Sequence, residues 1–242
     1  MEDEQKTKEQ LISDLRAMRS KIAELEKSNS GLIRAEDALS QSLEKLRKAT
    51  GFIINVLARA VEEKDPYVAG HQKRVTDLAG AIASHMNLST DVINGIRMAG
   101  LIHDIGKISV PVEIIEKPGS LSDAEYSVVK NHPEMGHQIL KDIDFGRPVA
   151  LIVYQHHERM NGTGYPQGLK GTEILPEARI MAVADVVEAI CTHRPYRHAL
   201  GIERALKEIS EHRGVLYDRE AVDVCLTLFR ERGFSFKPGE NR

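Results

Sequence analysis

Apolar residues in the first sixty positions fall on a seven-residue beat. Leu11, Met18, Leu25, Leu32, Leu39, Leu46 and Ile53 recur every seven residues, and Leu15, Ile22, Leu43 and Leu57 fall four later. Proline is absent before Pro66, and Gly31 and Gly51 are the only glycines in that stretch. Residues 1–64 therefore predict a nearly continuous helix whose apolar seam packs against a partner helix. A lone amphipathic helix lying on a domain is the competing reading. Asn29, Glu36 and Thr50 interrupt the seam, and Ser28-Asn29-Ser30-Gly31 is a candidate break. A buried asparagine in such a seam selects a dimer and fixes its register at some cost in stability.

Beyond Pro66 the helical period continues. It predicts helices over 71–86, 89–105, 122–130, 134–141, 147–157, 177–191, 201–212 and 218–232. Ser89 and Ser122 carry N-cap signals, the second as Ser-Asp-Ala-Glu, and Pro133 and Pro176 suit first-turn positions. The stretch 158–176 holds glycines and prolines without a period and reads as a loop. No run alternates with period two. The expected fold is all-α, with a coiled-coil signalling helix over 1–49 and a helical bundle over 50–242.

Composition narrows the classes. The 242 residues carry 33 Lys+Arg against 36 Asp+Glu, so bulk positive charge for a nucleic-acid polymer is missing. At 41% hydrophobic the chain can bury a core. Cys191 and Cys225 are too few for a disulfide framework and fit a reducing compartment. The apolar runs fall short of the ~18–20 residues of a membrane span, and the N-terminus lacks a signal-peptide pattern. These features lead to an expected cytoplasmic location.

Polar residues inside apolar helix carry the chemistry. Asp185 sits within Arg179-Ile-Met-Ala-Val-Ala-Asp-Val-Val187, which is apolar nearly all round. A buried carboxylate needs a cation, a metal or strong donors. His103-Asp104 within Leu101-Ile102-His103-Asp104-Ile105 repeats the argument, with a structural ion pair as the alternative in both places. His71, His132, His156 and His157 stand in comparable settings, and Arg74 shares the His71 helix face. A single such histidine is more often a satisfied core residue; five beside two buried aspartates point to a metal centre. Seven donors exceed the four of one structural zinc and fit two octahedral ions, with Asp104 as the bridge. Nitrogen and oxygen donors without thiolates suit iron, manganese or nickel, with zinc as a further choice. Two ions about 3.5–4 Å apart activate a bridging hydroxide and clamp a phosphoryl group. Lys107, four residues after His103 on the same helix or its frayed end, is placed to hold a phosphate oxygen, or else sits exposed at a helix C-terminus. Arg194 and Arg197 are further phosphate candidates.

His103–Lys107 reads HDIGK and His156–Pro166 reads HHERMNGTGYP. With His71-Gln-Lys-Arg74, His132-Pro133, Ala184-Asp185 and Arg194-Pro-Tyr-Arg197, the stretch from about 50 to 236 resembles the HD-GYP domain, a subgroup of the HD phosphohydrolase superfamily. The resemblance implies a helical metal-dependent phosphodiesterase that converts cyclic di-GMP to the linear dinucleotide or GMP. It implies one ion on His71, His103, Asp104 and Asp185, and a second on Asp104, His132, His156 and His157. It gives Lys107, Arg194, Arg197, Asp65 and Glu188 as substrate or nearby contacts, His103, Asp104 and Lys107 as catalytic, and Gly164-Tyr165-Pro166 as a rim or partner loop. Tyr67 stands where three-metal members carry glutamate, so two ions are expected. Asn161 stands where aspartate is usual, a nearly isosteric exchange in a glycine-rich turn from which little loss is expected, and Glu188 stands where aspartate is common, its longer side chain bearing on substrate fit, rate and product. The N-terminal helix resembles a coil that follows a sensor domain, implying a homodimer and an upstream sensor or a diguanylate cyclase as partners. Two other readings stay open: a cyclic di-GMP-binding module with little turnover, and a hydrolase of another cyclic dinucleotide or phosphate ester.

Overall fold

The computed structural model describes residues 7–62, 70–192 and 199–236. Every regular element among them is helical: α1 (Lys8–Glu62), α2 (His71–His85), α3 (Thr90–Ile102), α4 (Val112–Ile115), α5 (Asp123–Lys130), α6 (His132–Leu140), α7 (Val149–Gln155), α8 (Pro176–Cys191), α9 (Ile202–Glu211) and α10 (Arg219–Arg230). The expected all-α class holds. The chain divides into two compact units, Met1–Phe52 and Ile53–Arg242.

The first unit is helix throughout its described part. α1 passes through Ser28–Gly31 without a break. Neither Gly31 nor Gly51 has a neighbour within 4 Å of the place a Cβ would occupy, so each costs the helix only its propensity. The heptad leucines stand exposed along it.

In the second unit α2, α3, α7 and α8 enclose the core. Val75, Leu78 and Ile82 of α2 share one buried cluster with Ile96 and Ala99 of α3, Ile152 and Val153 of α7, and Ile180, Val183 and Val187 of α8. α9 and α10 close it with Leu206, Ile209, Val222 and Cys225. Burial at about 25 cal/mol per Å2 of apolar surface makes this cluster the main stabilising term. Gly100 lets α3 approach α2: a Cβ there would lie 2.6 Å from Thr76 Oγ1 and 3.1 Å from Thr76 Cα.

The caps follow the sequence. Ser89 accepts from Val92 N–H at the start of α3, and Ser122 with Glu125 forms a complete capping box on α5. One boundary after residue 70 differs by more than two residues. The helix expected over 89–105 stops at Ile102, and Ile105–Ser109 forms a 3-10 turn. The reason lies in Gly106, which is pressed against α6: a Cβ would strike the His132 carbonyl and come within 2.5 Å of Gly136 N. A further α-turn would carry the chain away from that contact. The short α4 was also absent from the expected helices.

Candidate metal centre

Helix ends build the site. His71 is the first residue of α2, His132 the first of α6, and His103 and His156 are the C-caps of α3 and α7. Asp104 and His157 follow directly, and Asp185 alone projects from mid-helix, in α8. A cap position leaves the nearby backbone carbonyls or a free face to orient an imidazole. His103 Nδ1 donates to the Gly100 carbonyl at 2.9 Å, His132 Nδ1 to Val129 at 2.8 Å, and His156 Nδ1 to Val153 at 2.6 Å. Fixed in that way, the three rings aim their Nε2 atoms at one centre.

His71 is held differently. Its Nδ1 lies 2.5 Å from Glu188 Oε2, and the other carboxylate oxygen of Glu188 accepts from Arg74 Nε and Nη2, both at 2.7 Å. Glu188 is fully buried. The carboxylate lies behind His71, where it orients the ring and raises its basicity.

The tautomers follow from these partners. A carbonyl or carboxylate only accepts, so Nδ1 carries the proton in all four rings and Nε2 presents a lone pair. Yet His71 Nε2 lies 3.2 Å from His103 Nε2, and His132 Nε2 lies 3.3 Å from His156 Nε2. Lone pairs facing at that distance share no proton and repel. Asp104 adds an oxygen to each pair: Oδ2 is 3.7 Å from His71 Nε2 and 3.5 Å from His103 Nε2, whereas Oδ1 is 3.4 Å from His132 Nε2. Asp185 Oδ1 lies 3.4 Å from His71 Nε2, and Oδ2 lies 4.0 Å from His157 Nδ1. Three overlapping groups have ligand atoms within 4.8 Å of one another: His71-His103-Asp185, His132-His156-His157 and His103-Asp104-His156. A cluster of acceptors facing acceptors fits cations between them.

Charge agrees with this. Burial pushes the histidines down, His132 to about 4, His156 to about 3 and His157 well below the usual imidazole range. They stay neutral and metal-ready. Burial alone would raise Asp104, but the Lys107 ammonium beside it holds it well below the usual carboxylate range. Lys107 reaches Asp104 Oδ2 at 2.7 Å because the 3-10 turn beyond the end of α3 folds it back three residues. Asp65, Tyr67, Arg194 and Arg197 lie outside the described residues.

Glu158 was not singled out by sequence. It is buried, and its carboxylate accepts from the backbone N–H groups of Gln167, Gly168 and Leu169 at 2.7, 3.2 and 3.0 Å. That clamp fixes the loop carrying Tyr165, whose ring stacks on His157 with centroids 4.7 Å apart. The available signal was a glutamate directly after two histidines and just before the glycine-rich loop.

The HD domain family model matches residues 55–221. This chain belongs to the HD domain family. Its HDIGK and GYP signatures make it an HD-GYP member. The HD domain here is similar to the cyclic di-GMP phosphodiesterase response regulator RpfG of Xanthomonas campestris pv. campestris, 36% identical over 219 residues covering 88% of this chain and 58% of that protein. It is also similar to 3'3'-cGAMP-specific phosphodiesterase 3 of Vibrio cholerae, 38% identical over 168 residues covering 69% of this chain and 36% of that protein. Among solved structures, an HDG"Y"P protein from Bdellovibrio bacteriovorus, Bd1817, shares the fold with a TM-score of 0.56 at 23% identity, over 67% of this chain and 52% of that one. The chain spans little more than half the length of the RpfG protein.

Proposed function

We propose that this HD domain hydrolyses a phosphodiester bond of cyclic di-GMP, giving the linear dinucleotide or GMP. The observation behind the proposal is the inward set of unprotonated Nε2 atoms, divided into two groups by the two oxygens of Asp104. In this reading His71, His103, Asp104 and Asp185 hold one divalent ion. Asp104, His132, His156 and His157 hold the other, and iron or manganese is the expected metal ahead of nickel or zinc. Bound there, the ions would supply Lewis acidity and a nucleophile at neutral pH. The protein's own groups do the rest. The backbone-anchored imidazoles keep the donors in place, and neutral rings keep the centre from repelling cations. Lys107 leaves Asp104 for a non-bridging phosphate oxygen as negative charge grows on it, and Arg194 and Arg197 take further phosphate oxygens. Asp65 contacts the substrate or a nearby water.

The relatives named as cyclic di-GMP phosphodiesterases support the substrate. A second reading, hydrolysis of a mixed cyclic GMP–AMP dinucleotide, draws on the likeness to the Vibrio cholerae enzyme. We further place the protein in the cytoplasm, with α1 joining two copies and passing a signal from an upstream sensor or a diguanylate cyclase. No helix among the described residues is long and apolar enough to cross a membrane.

The test is turnover of both dinucleotides by protein purified without oxygen and reloaded with iron or manganese. Conversion of cyclic di-GMP is expected, with Asp104→Asn reducing it by roughly 1000-fold or more, since both ions lose a shared ligand. Tight binding without product would leave a signalling module instead. Faster conversion of the mixed dinucleotide would favour the second reading.

A further inference from the structure

The exposed face of α1 contains more than a seam. The residues Leu11, Met18, Leu25, Leu32, Leu39 and Leu46 occupy heptad position d, and Leu15, Ile22, Asn29, Glu36 and Leu43 occupy position a. The apolar members are between 39% and 63% exposed, so this stripe has no cover from the chain's own described residues. The flanking positions are where a two-stranded coil places its interchain ion pairs, from g of one helix to the following e of the other. Position g holds Asp14 and Lys21; the following e positions hold Arg19 and Glu26. Both pairs are of opposite sign, and in a symmetric pairing each occurs twice.

Asn29 sets the direction. In a parallel, aligned pair each a layer meets the same a layer, so Asn29 meets the partner's Asn29 and amide bonds amide. In an antiparallel pair a layers meet d layers, and Asn29 would be buried against leucine or methionine, leaving its amide unsatisfied. We propose that α1 pairs with a second copy of this chain as a parallel, in-register, two-stranded coiled coil. Asn29 fixes its register, and Asp14 with the partner's Arg19 and Lys21 with the partner's Glu26 select it. This rests on the reading of α1 as a homodimer helix and specifies that dimer's geometry.

The experiment uses the full chain and reads mass and crosslinking, not activity. Sedimentation is expected to give a dimer. Met18→Cys and Leu39→Cys, tested singly under mild oxidation, are each expected to link two chains, while the wild type with Cys191 and Cys225 does not. In an antiparallel pair the two copies of residue 18 lie tens of ångströms apart at ~1.5 Å per residue, so a dimer without either link overturns this inference but not the homodimer. A monomer overturns both. The variant Arg19→Glu/Lys21→Glu is expected to dimerise roughly tenfold more weakly, as is Asp14→Lys/Glu26→Lys, and mixing the two is expected to restore wild-type affinity. Failure of the mixture to recover removes the assigned ion pairs.

Discussion

At the scale of single residues, the site is governed by what stands behind each ligand. Glu188 is fully buried and binds both His71 and Arg74. Glu188→Gln keeps the shape but removes the charge that makes His71 a strong donor. The expected result is a 10–100-fold fall in metal affinity, read as metal content after dialysis at fixed free metal, with a parallel fall in turnover. Lys107→Met should separate from this. It retains all seven donors, so metal content should hold while kcat falls by roughly 100-fold, the loss of one charge-stabilising contact. The seven donors were legible because histidine and aspartate inside apolar helix have no cheap alternative to a partner. Glu188 and Glu158 were less so. Sequence places them near the ligands but does not say that their oxygens meet Nδ1 of a ring and the N–H groups of a loop, because those partners are distant along the chain.

At the scale of elements, the centre depends on the close approach of the 3-10 turn to α6. Gly106 lies against the His132 carbonyl and Gly136 N, so any side chain at 106 separates Asp104 from His132. Gly106→Ala is expected to cost about 3 kcal/mol or more, since backbone rather than a flexible side chain must yield. For a domain of this size that is a fall in Tm of roughly 6–12 °C, accompanied by loss of bound metal. Thermal melts with and without added metal check it, and an unchanged Tm would mean the turn can relax. The helices themselves were readable from period and caps, as Ser89 and the Ser122–Glu125 box show. The 3-10 turn was not, because its cause is a tertiary contact between Gly106 and a helix thirty residues on. A local period cannot register that contact.

At the scale of the whole molecule, the histidine cluster links stability to pH and to metal. His132 and His156 have pKa values of about 4 and about 3 when folded, and His157 lies well below the imidazole norm. An unfolded chain protonates all three near ~6.5. Below that pH the unfolded state binds more protons than the folded one, so stability falls as pH falls and rises as pH rises. The contribution is fully present above about 6.5 and is lost progressively toward the folded values. Metal adds to stability wherever the folded rings are deprotonated, because ions bind only those rings and only the assembled site. At 100 times its dissociation constant a bound ion adds about 2.7 kcal/mol, or roughly 5–11 °C in Tm. Chelator-treated protein should therefore melt lower than metal-loaded protein at pH 7, with the gap persisting to pH 5 and closing only near the folded values of about 4 and about 3, where protons displace the ions. Metal-free protein should itself melt at a lower temperature at pH 5 than at pH 7. Calorimetry of both forms across that range measures the two slopes. A metal-free Tm that stays flat, or rises, on acidification would mean the three rings are not buried neutral, and the acceptor-against-acceptor geometry that points to cations would lose its electrostatic basis.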